Sequence, residues 1–514
     1  MTHREILEAL SGLLLVLFVA MISGTIVSVA LPQIIGALNG SQSQYTWVVT
    51  ASLLASTAST PIWGKLADLF NKKLLLQISI VIFMVSSLAC GFAQNTGQLI
   101  AFRAIQGLGM GALQILAQVV IAAMITPKER GRYNGYLGAV MAVATVGGPL
   151  LGGFIADASW LGWRWCFFIA VPFTVAAFAL LAKTLHLPTV RRADVSIDYW
   201  GAGLIAAGVS VLLIWVTFVG NSFDWLSWQT GAMAGGGVVL LALATLVESK
   251  VREPVVPLHV VRRRDPALAI LASLAVGMAM FGGAVFLGQY FQIGRGYGPT
   301  AAGLLTIPMM IGVLFSSTIS GRMVSRSGRT KPYILAGLVV LLAGFVGLST
   351  IDHRTAMVLV SAYMLAVGVG VGMSMQNLVL VIQNTVPLRE IGAASGAVTF
   401  FRSLGGTVGV SVLGAVLANQ VAANITAGLA RAGIPVQGGG GAAGSSLNIA
   451  ALPGPIREIV RAAYGDATGH IFLISAAIAA VGLVAAAFLK PAKLRDSLDL
   501  PPEQATRPEA AAKA

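Results

Sequence analysis

Arg103 stands about two turns into a stretch, 97–125, that holds no other charged residue. An arginine at the centre of an apolar helix costs from ~2.5–3.5 kcal/mol on insertion scales to ~10–17 kcal/mol in simulation. Its guanidinium must therefore face protein or a watery cavity. Met110 and Gln114 follow at close to whole numbers of helical turns, and Gln106 and Gln118 flank the same face. This makes an inward-facing stripe of one cation and three amides. Such a stripe suits recognition of a ligand; it lacks the paired acid and base that bond-making needs. The plainer alternative is a packed arginine satisfied by backbone carbonyls.

The chemistry-bearing residues of the later chain are again amides: Gln289, Gln292, Gln376, Asn377, Gln383 and Asn384, with Arg402 as the one cation among them and Tyr290 as an aromatic wall. Neutral amides in an apolar cavity orient many ligands without demanding one charge. For any single amide an interhelical hydrogen bond, worth ~0.6 kcal/mol on average, is the simpler account; as a group they predict a substrate cavity. No Asp or Glu lies well inside any apolar stretch. The titrating candidates are Asp68, Asp157 and Asp198 at stretch ends, with His470 a weaker one.

The remaining chemistry is excluded by pattern. No phosphate-cradling loop, metal-ligand cluster or nucleophile triad is present, so the sequence predicts no enzyme, no cofactor and no metal. Cys90 and Cys166 both fall in apolar stretches, which argues against a disulfide framework. A net charge of +14 comes from basic residues that alternate with apolar stretches instead of clustering, so nucleic acid is not an expected partner.

The elements that must position these residues follow from composition. With 56% hydrophobic and only 10% charged residues, and a mean hydropathy of +0.84, the chain belongs in a bilayer. Apolar stretches of membrane-crossing length fall near 11–35, 46–69, 74–93, 97–125, 133–156 and 163–185, then 199–219 and 229–247. Six more lie near 266–293, 299–323, 332–350, 356–384, 392–423 and 469–490, making about fourteen in all. Lys72/Lys73, Lys128/Arg130/Arg132, Arg191/Arg192, Arg262 to Arg264, Arg322 to Lys331 and Lys490 to Arg495 occupy alternate loops. That bias predicts both termini in the cytoplasm. The N-terminus lacks a cleavage site after its apolar run, so a retained first span is expected.

Basic turns at 64–73 and 321–331 occupy matching places, which predicts two related six-helix bundles. The fold class is thus an all-α polytopic membrane protein of two six-helix bundles plus two extra central helices. Its divisions are a cytoplasmic start at 1–10, a first bundle at 11–185 and inserted helices with linkers at 186–265. A second bundle follows at 266–490, with an extracellular loop at 424–468 and a disordered tail at 491–514. Within 133–156, Ala144, Gly148 and Gly152 recur at four-residue spacing beside Pro149 and Gly153, predicting close helix approach and a kink.

Several strings resemble motifs of the major facilitator superfamily. Leu99-x-x-x-Arg103-x-x-Gln106-Gly107-x-Gly109 is similar to its fourth-helix motif. Gly135, Ala144 and Gly148-Pro149-x-x-Gly152-Gly153 resemble its fifth-helix antiporter motif, with Ala144 where glycine is usual. GKLADLFNKK resembles the signature cytoplasmic turn; it keeps Gly64, Leu66, Asp68, Lys72 and Lys73, and it has Asn71 in place of glycine, a residue that tolerates a left-handed turn. Met21 to Pro32 resembles the first-helix motif of the fourteen-helix drug/proton antiporter branch, with Ser23 where an Asp is common.

The resemblance implies a secondary transporter of the inner cell membrane that exports amphipathic drugs by alternating access in exchange for protons and confers antibiotic resistance. Its partners would be small amphipathic molecules, protons and the bilayer, and it would act as a monomer. Transport and coupling would fall to Ser23, Asp68, Arg103, Gln106, Gln114 and Arg402. Met110, Gln118 and the later amides would wall the cavity. The bundles would rock about the Ala144/Gly148/Gly152 stripe, while Asp68 latches the cytoplasmic side by pairing with Arg130 or by capping a helix of the other bundle. The competing reading of Asp68 is a static surface ion pair worth ~0–1 kcal/mol. Rival functions are export of one endogenous metabolite or lipid without protons, and a non-transporting receptor or scaffold.

Overall fold

The computed structural model describes residues 3–39, 42–157, 161–185, 198–219, 223–251, 254–256, 258–432 and 454–497. Six long helices come first: α1 (His3–Ala37), α2 (Gln42–Leu69), α3 (Lys72–Gly91), α4 (Thr96–Met124), α5 (Pro127–Asp157) and α6 (Trp165–Thr184). Two follow alone, α7 (Tyr199–Phe218) and α8 (Trp228–Glu248). Six more close the chain: α9 (Arg264–Gln289), α10 (Ala301–Ser327), α11 (Lys331–Leu348), α12 (Met357–Thr385), α13 (Ile391–Arg431) and α14 (Gly454–Ala487).

Counted over the described residues, twelve of these helices are long and apolar enough to cross a membrane. The other two are α2 and α5. The hydroxyl-rich surface of α2 has a packing reason: α2 lies against α4 and α13, so little of it has to dissolve in lipid; α5 lies against α1 and α10. In α2 the hydroxyls satisfy themselves locally, as where Thr60 Oγ1 donates to the Ser56 carbonyl at 2.7 Å.

The buried apolar residues form separate cores that follow the two halves. The first half is cored around Leu13, Phe83, Leu116 and Leu181 near one end and Ile26, Leu31 and Phe167 near the other. The second half has one continuous core that includes Phe286, Leu341, Phe345, Leu378 and Phe472. The inserted α7 and α8 pack on each other, and α7 also covers the line where α2 meets α13, burying Val209 and Leu213 with Ala58 and Phe400. The chain is thus two six-helix bundles with an inserted pair. We call the end bearing Lys72, Lys128, Lys331 and Arg495 the basic face.

Several boundaries differ from the sequence expectation. Helix α1 begins at His3, so the expected separate N-terminal segment is largely helical. Residues 424–431 and 454–468, expected to belong to a loop, are the ends of α13 and α14. Ile425 and Leu429 bury their side chains with Val460, Ala463 and Ala467, and that apolar contact outweighs the linker-like composition nearby. The glycine-rich 436–446 lies outside the described residues, as does the tail beyond 497.

The start of the expected disordered tail is docked. Leu494 buries its side chain against Val324 and Leu380, and its N–H donates to the Gly328 carbonyl at 2.7 Å. Arg495 Nη2 donates to the carbonyls of Gln383 at 2.7 Å and Val386 at 3.1 Å. The basic segment thus caps orphan carbonyls at the end of α12. Asn71 also differs from expectation: at φ −63° it is extended, and its side chain caps α3 by accepting from the N–H groups of Lys73 and Leu74.

Candidate functional site

At the basic face the two bundles cross twice. In the first crossing α2 meets the start of α13, where Asp68 Oδ1 accepts from Gly392 N at 2.8 Å and Oδ2 from Ala393 N at 2.7 Å. These are two of the orphan donors that every helix start presents, and the helix dipole adds its field to the carboxylate. Of the two expected modes for Asp68, capping is therefore the one present. The contact needs glycine on both sides: a Cβ on Gly64 would sit 2.5 Å from the Gly392 carbonyl oxygen, and one on Gly392 would overlap the Gly64 oxygen and Asp68 Oδ1.

The second crossing sets α5 against α10. Gly131 faces Gly321 and Ser325, Gly135 faces Thr318, and Gly138 faces Ser317. Gly135 is in the place expected for a helix-contact residue. The expected hinge stripe is not between the bundles, however. Gly148 faces Thr25, Gly152 faces Ile26, and Thr25 Oγ1 donates to the Ala144 carbonyl at 3.3 Å, so the stripe seats α5 on α1 within one bundle. Glycine spacing reports close approach without naming the partner. Helix α5 continues through Pro149 and Gly153, whose side-chain surroundings lie outside the described residues.

Between the crossings, Arg130 reaches from α5 to the other bundle. Its Nη1 donates to Gln383 Oε1 at 2.8 Å, while Nε and Nη2 donate to the carbonyls of Ile125 and Ala122 at 2.8 and 2.6 Å. Gln383 Nε2 passes the connection on to Ser395 Oγ at 2.8 Å. A small cavity, open in part to solvent and with room for about one water molecule, opens beside this bridge. It is lined by Gln118, Ile121, Arg130, Leu137, Gln376, Val379, Leu380 and Gln383. In that lining, Gln118 Oε1 is buried without a hydrogen-bond partner. Buried acceptors left open in this way are what a polar ligand or water would satisfy.

Arg103 does not line that cavity. It is 3% exposed and buried inside the first bundle. Its Nη1 donates to Gln106 Oε1, Nη2 to Ser52 Oγ at 2.8 Å and Nε to the Val48 carbonyl at 3.4 Å; Gln106 Nε2 in turn donates to Ser87 Oγ at 2.7 Å. The hydroxyls of α2 and α3 make this the packed arginine of the plainer alternative. The stripe therefore splits: Arg103 and Gln106 lock three helices together, whereas Met110, Gln114 and Gln118 remain half-buried further along α4.

Other expected site residues scatter. Tyr290 and Gln292 lie in a π-turn, Tyr290–Gly294, at the end of α9 away from the basic face. Tyr290 is fully buried, its hydroxyl donating to the Asp352 carbonyl at 2.8 Å, while Gln292 is exposed and Gln289 half-buried. None of the three borders the cavity. Asn384 belongs to the docked tail, donating to the Lys493 carbonyl at 3.2 Å and accepting from Arg495 N at 3.0 Å. Arg402 is buried where α13 crosses α9 at Gly277, and its Nη1 has no hydrogen-bond partner. Ser23 is buried in α1, its hydroxyl likewise without a partner. Lys73 Nζ caps the end of α6 through the Ala182 carbonyl at 2.7 Å. Lys72 lies close enough to stabilise the charge on Asp68. The partners Ser52, Ser87, Ser395, Gly392 and Gly321 carried no signal of their own; each is small and becomes legible only once its neighbour is placed.

The chain is similar to several known transporters. A family model described as Major Facilitator Superfamily matches residues 13–410. The multidrug transporter protein MdtP of Bacillus subtilis is 35% identical over 408 residues, which is 79% of this chain and 74% of its own. The efflux pump dotC of Dothistroma septosporum is 33% identical over 482 residues, 92% of this chain and 82% of its own. Among solved structures, the human organic anion transporter MFSD10 aligns with a TM-score of 0.58 at 11% identity, covering 92% of this chain and 99% of that one, a likeness of fold alone. Since the family match begins in α1 and runs into α13 through both bundles, the chain belongs to the major facilitator superfamily and is a multi-pass membrane transporter.

Proposed function

We propose that this transporter exports amphipathic, cationic or neutral compounds across the cytoplasmic membrane in exchange for protons, with the basic face and both termini in the cytoplasm. The observation that carries the reading is the cavity at the bundle interface. Its polar walls, Gln118, Gln376 and Gln383, come from both bundles, and Arg130 spans it. A site shared by two bodies loses one wall when they part, which is what alternating access requires of a binding site. Multidrug and efflux relatives support export as the direction. In the conformation described, Asp68 and the two crossings close the cytoplasmic side; opening there would admit substrate and break the Asp68 cap.

The test is efflux of a fluorescent cationic dye from an exporter-deficient bacterial host expressing the chain, with and without an uncoupler. Export that stops with the uncoupler supports the reading. A second reading, export of one endogenous metabolite or lipid without protons, is favoured by one observation: no carboxylate lines the cavity. Efflux that persists after the pH gradient is collapsed in proteoliposomes would select it.

A further inference from the structure

Two acidic residues of the inserted helices meet at the basic face. Asp198 precedes α7 and Glu248 ends α8, and they are 7% and 3% exposed. Asp198 Oδ1 caps α7 by accepting from Gly201 N at 2.8 Å. Its other oxygen, Oδ2, is buried with no hydrogen-bond partner. Glu248 turns the opposite way round: Oε1 accepts from Val255 N and Oε2 from Val256 N, both at 2.9 Å. Gly201 sits between the acids. A Cβ there would lie 3.1 Å from Glu248 Oε1 and would overlap Asp198 Oδ2. The unsatisfied oxygen and Glu248 Oε1 thus both border the space that glycine leaves open, within about 5 Å of each other and so close enough for their charges to interact.

Two buried carboxylates this close cannot both remain ionised without a large penalty, and the ordinary resolution is a shared proton. The surroundings do not remove that penalty. The cation acting on Glu248 is Lys65 of α2, which also acts on Asp68, where Lys72 contributes as well. From α13, the helix packed on the other side of α7, the neighbouring groups are the apolar rings of Phe400 and Phe401.

We propose that Asp198 and Glu248 form a proton-binding site, holding one proton between Asp198 Oδ2 and Glu248 Oε1 and exchanging it with water at the basic face. The inference rests on the proton-exchange reading given above and supplies the titrating group that the cavity lacks. It also connects that group to the bundles. Val255, whose N–H is held by Glu248, buries its side chain with Ala58 of α2 and Phe400 of α13. Protonation takes the pair from two negative charges to one and weakens the charge-assisted hold on Val255 and Val256. The crossing of α2 and α13 then loses part of its packing support.

The experiment is an infrared pH titration of the purified full-length protein in detergent, following the carbonyl band of protonated carboxyl groups. In an Asp68→Asn background, which removes the other buried acid near Lys65, the difference between parent and variant is expected to show a component that Asp198→Asn and Glu248→Gln each displace to lower pH, by about one unit or more, because the remaining acid no longer faces a like charge. Asn still caps α7, whereas Gln keeps one of the two acceptors that the Val255 and Val256 N–H groups use, so Asp198→Asn is the milder variant. Should either fail to fold, Lys65→Met leaves both acids in place and, in the Asp68→Asn background that removes the other carboxylate Lys65 acts on, is expected to move the band to higher pH. A band that none of these substitutions moves overturns the site. Dye efflux driven by an imposed pH gradient, run in parallel on the wild type, tests the exchange reading separately: a titrating band without gradient-driven efflux sinks that reading and leaves the site standing.

Discussion

Asp68 and Arg103 are both buried charges, and they do opposite things. Asp68 joins the bundles: its two oxygens hold the N–H groups of Gly392 and Ala393 across the interface. Arg103 joins α4 to α2 and α3 within one bundle. Asp68→Ala leaves two buried donors unsatisfied in the closed arrangement only, at ~1–3 kcal/mol each, whereas water satisfies them when the face opens. The balance is expected to move toward opening by roughly tenfold or more. A cysteine at Ser317, buried beneath Gly138, would then react faster with a maleimide reagent, while protein yield and melting temperature hold. Arg103→Ala is expected to act differently. It strands Gln106 Oε1 in every conformation, so the protein loses ~1–3 kcal/mol of stability and melts lower with no change in Ser317 labelling. Equal labelling of the two variants would refute the division of labour.

At the scale of elements, closure is built from glycine and hydroxyl faces on α2, α5, α10 and α13. Gly392→Ala puts a methyl into the Gly64 carbonyl and Asp68 at once, and both are held by backbone or by the cap. The expected outcome is the Asp68→Ala phenotype, faster Ser317 labelling without a fall in melting temperature; unchanged labelling would mean that α2 and α13 can slide at no cost. The docked segment after α14 belongs to this scale too. Leu494→Asp places a charge among Val324 and Leu380, so it should undock the segment and lower stability by about 1–3 kcal/mol, read as a lower melting temperature and protease cleavage near Arg495.

These elements mark how far the sequence could be read. Long apolar runs and alternating basic loops sufficed for fourteen helices and two bundles, because bilayer thickness and charge bias act on each segment alone. The hinge stripe and the start of the tail differ from the sequence expectation for one shared reason: Gly148 against Thr25 and Leu494 against Leu380 are settled by partners far away in the chain. Arg103 shows the same limit, since Ser52 and Ser87 become its partners only when α2 and α3 are laid beside α4. Asp68 was legible as a helix cap because the candidates for its partner were few.

For the whole molecule, the hydrogen bonds between bundles among the described residues, from Asp68 and Arg130, lie toward the basic face, and the docked tail adds one more. Lys128 N donates to the Arg495 carbonyl at 3.3 Å, and Lys128 Nζ pairs with Asp496 at 2.9 Å. Both charged side chains are accessible to solvent, so the ion pair itself contributes little, ~0–1 kcal/mol. Its value is positional: it marks a point where the first bundle and the C-terminal segment, itself fastened to α10 and α12 of the second, stay adjacent while the face is closed. Alternating access requires that adjacency to be lost once per cycle. Cysteines replacing Lys128 and Asp496, joined by a short thiol-cleavable cross-linker, should therefore halt dye efflux, and cleavage of the linker should restore it. Cys90 and Cys166 are buried and need not interfere. The control is a pair within one bundle, at the exposed Arg329 and Lys493, whose cross-link should leave efflux intact. If both links stop transport, the segment moves as part of the gate instead of riding on the second bundle; if neither does, the bundles do not separate at the basic face.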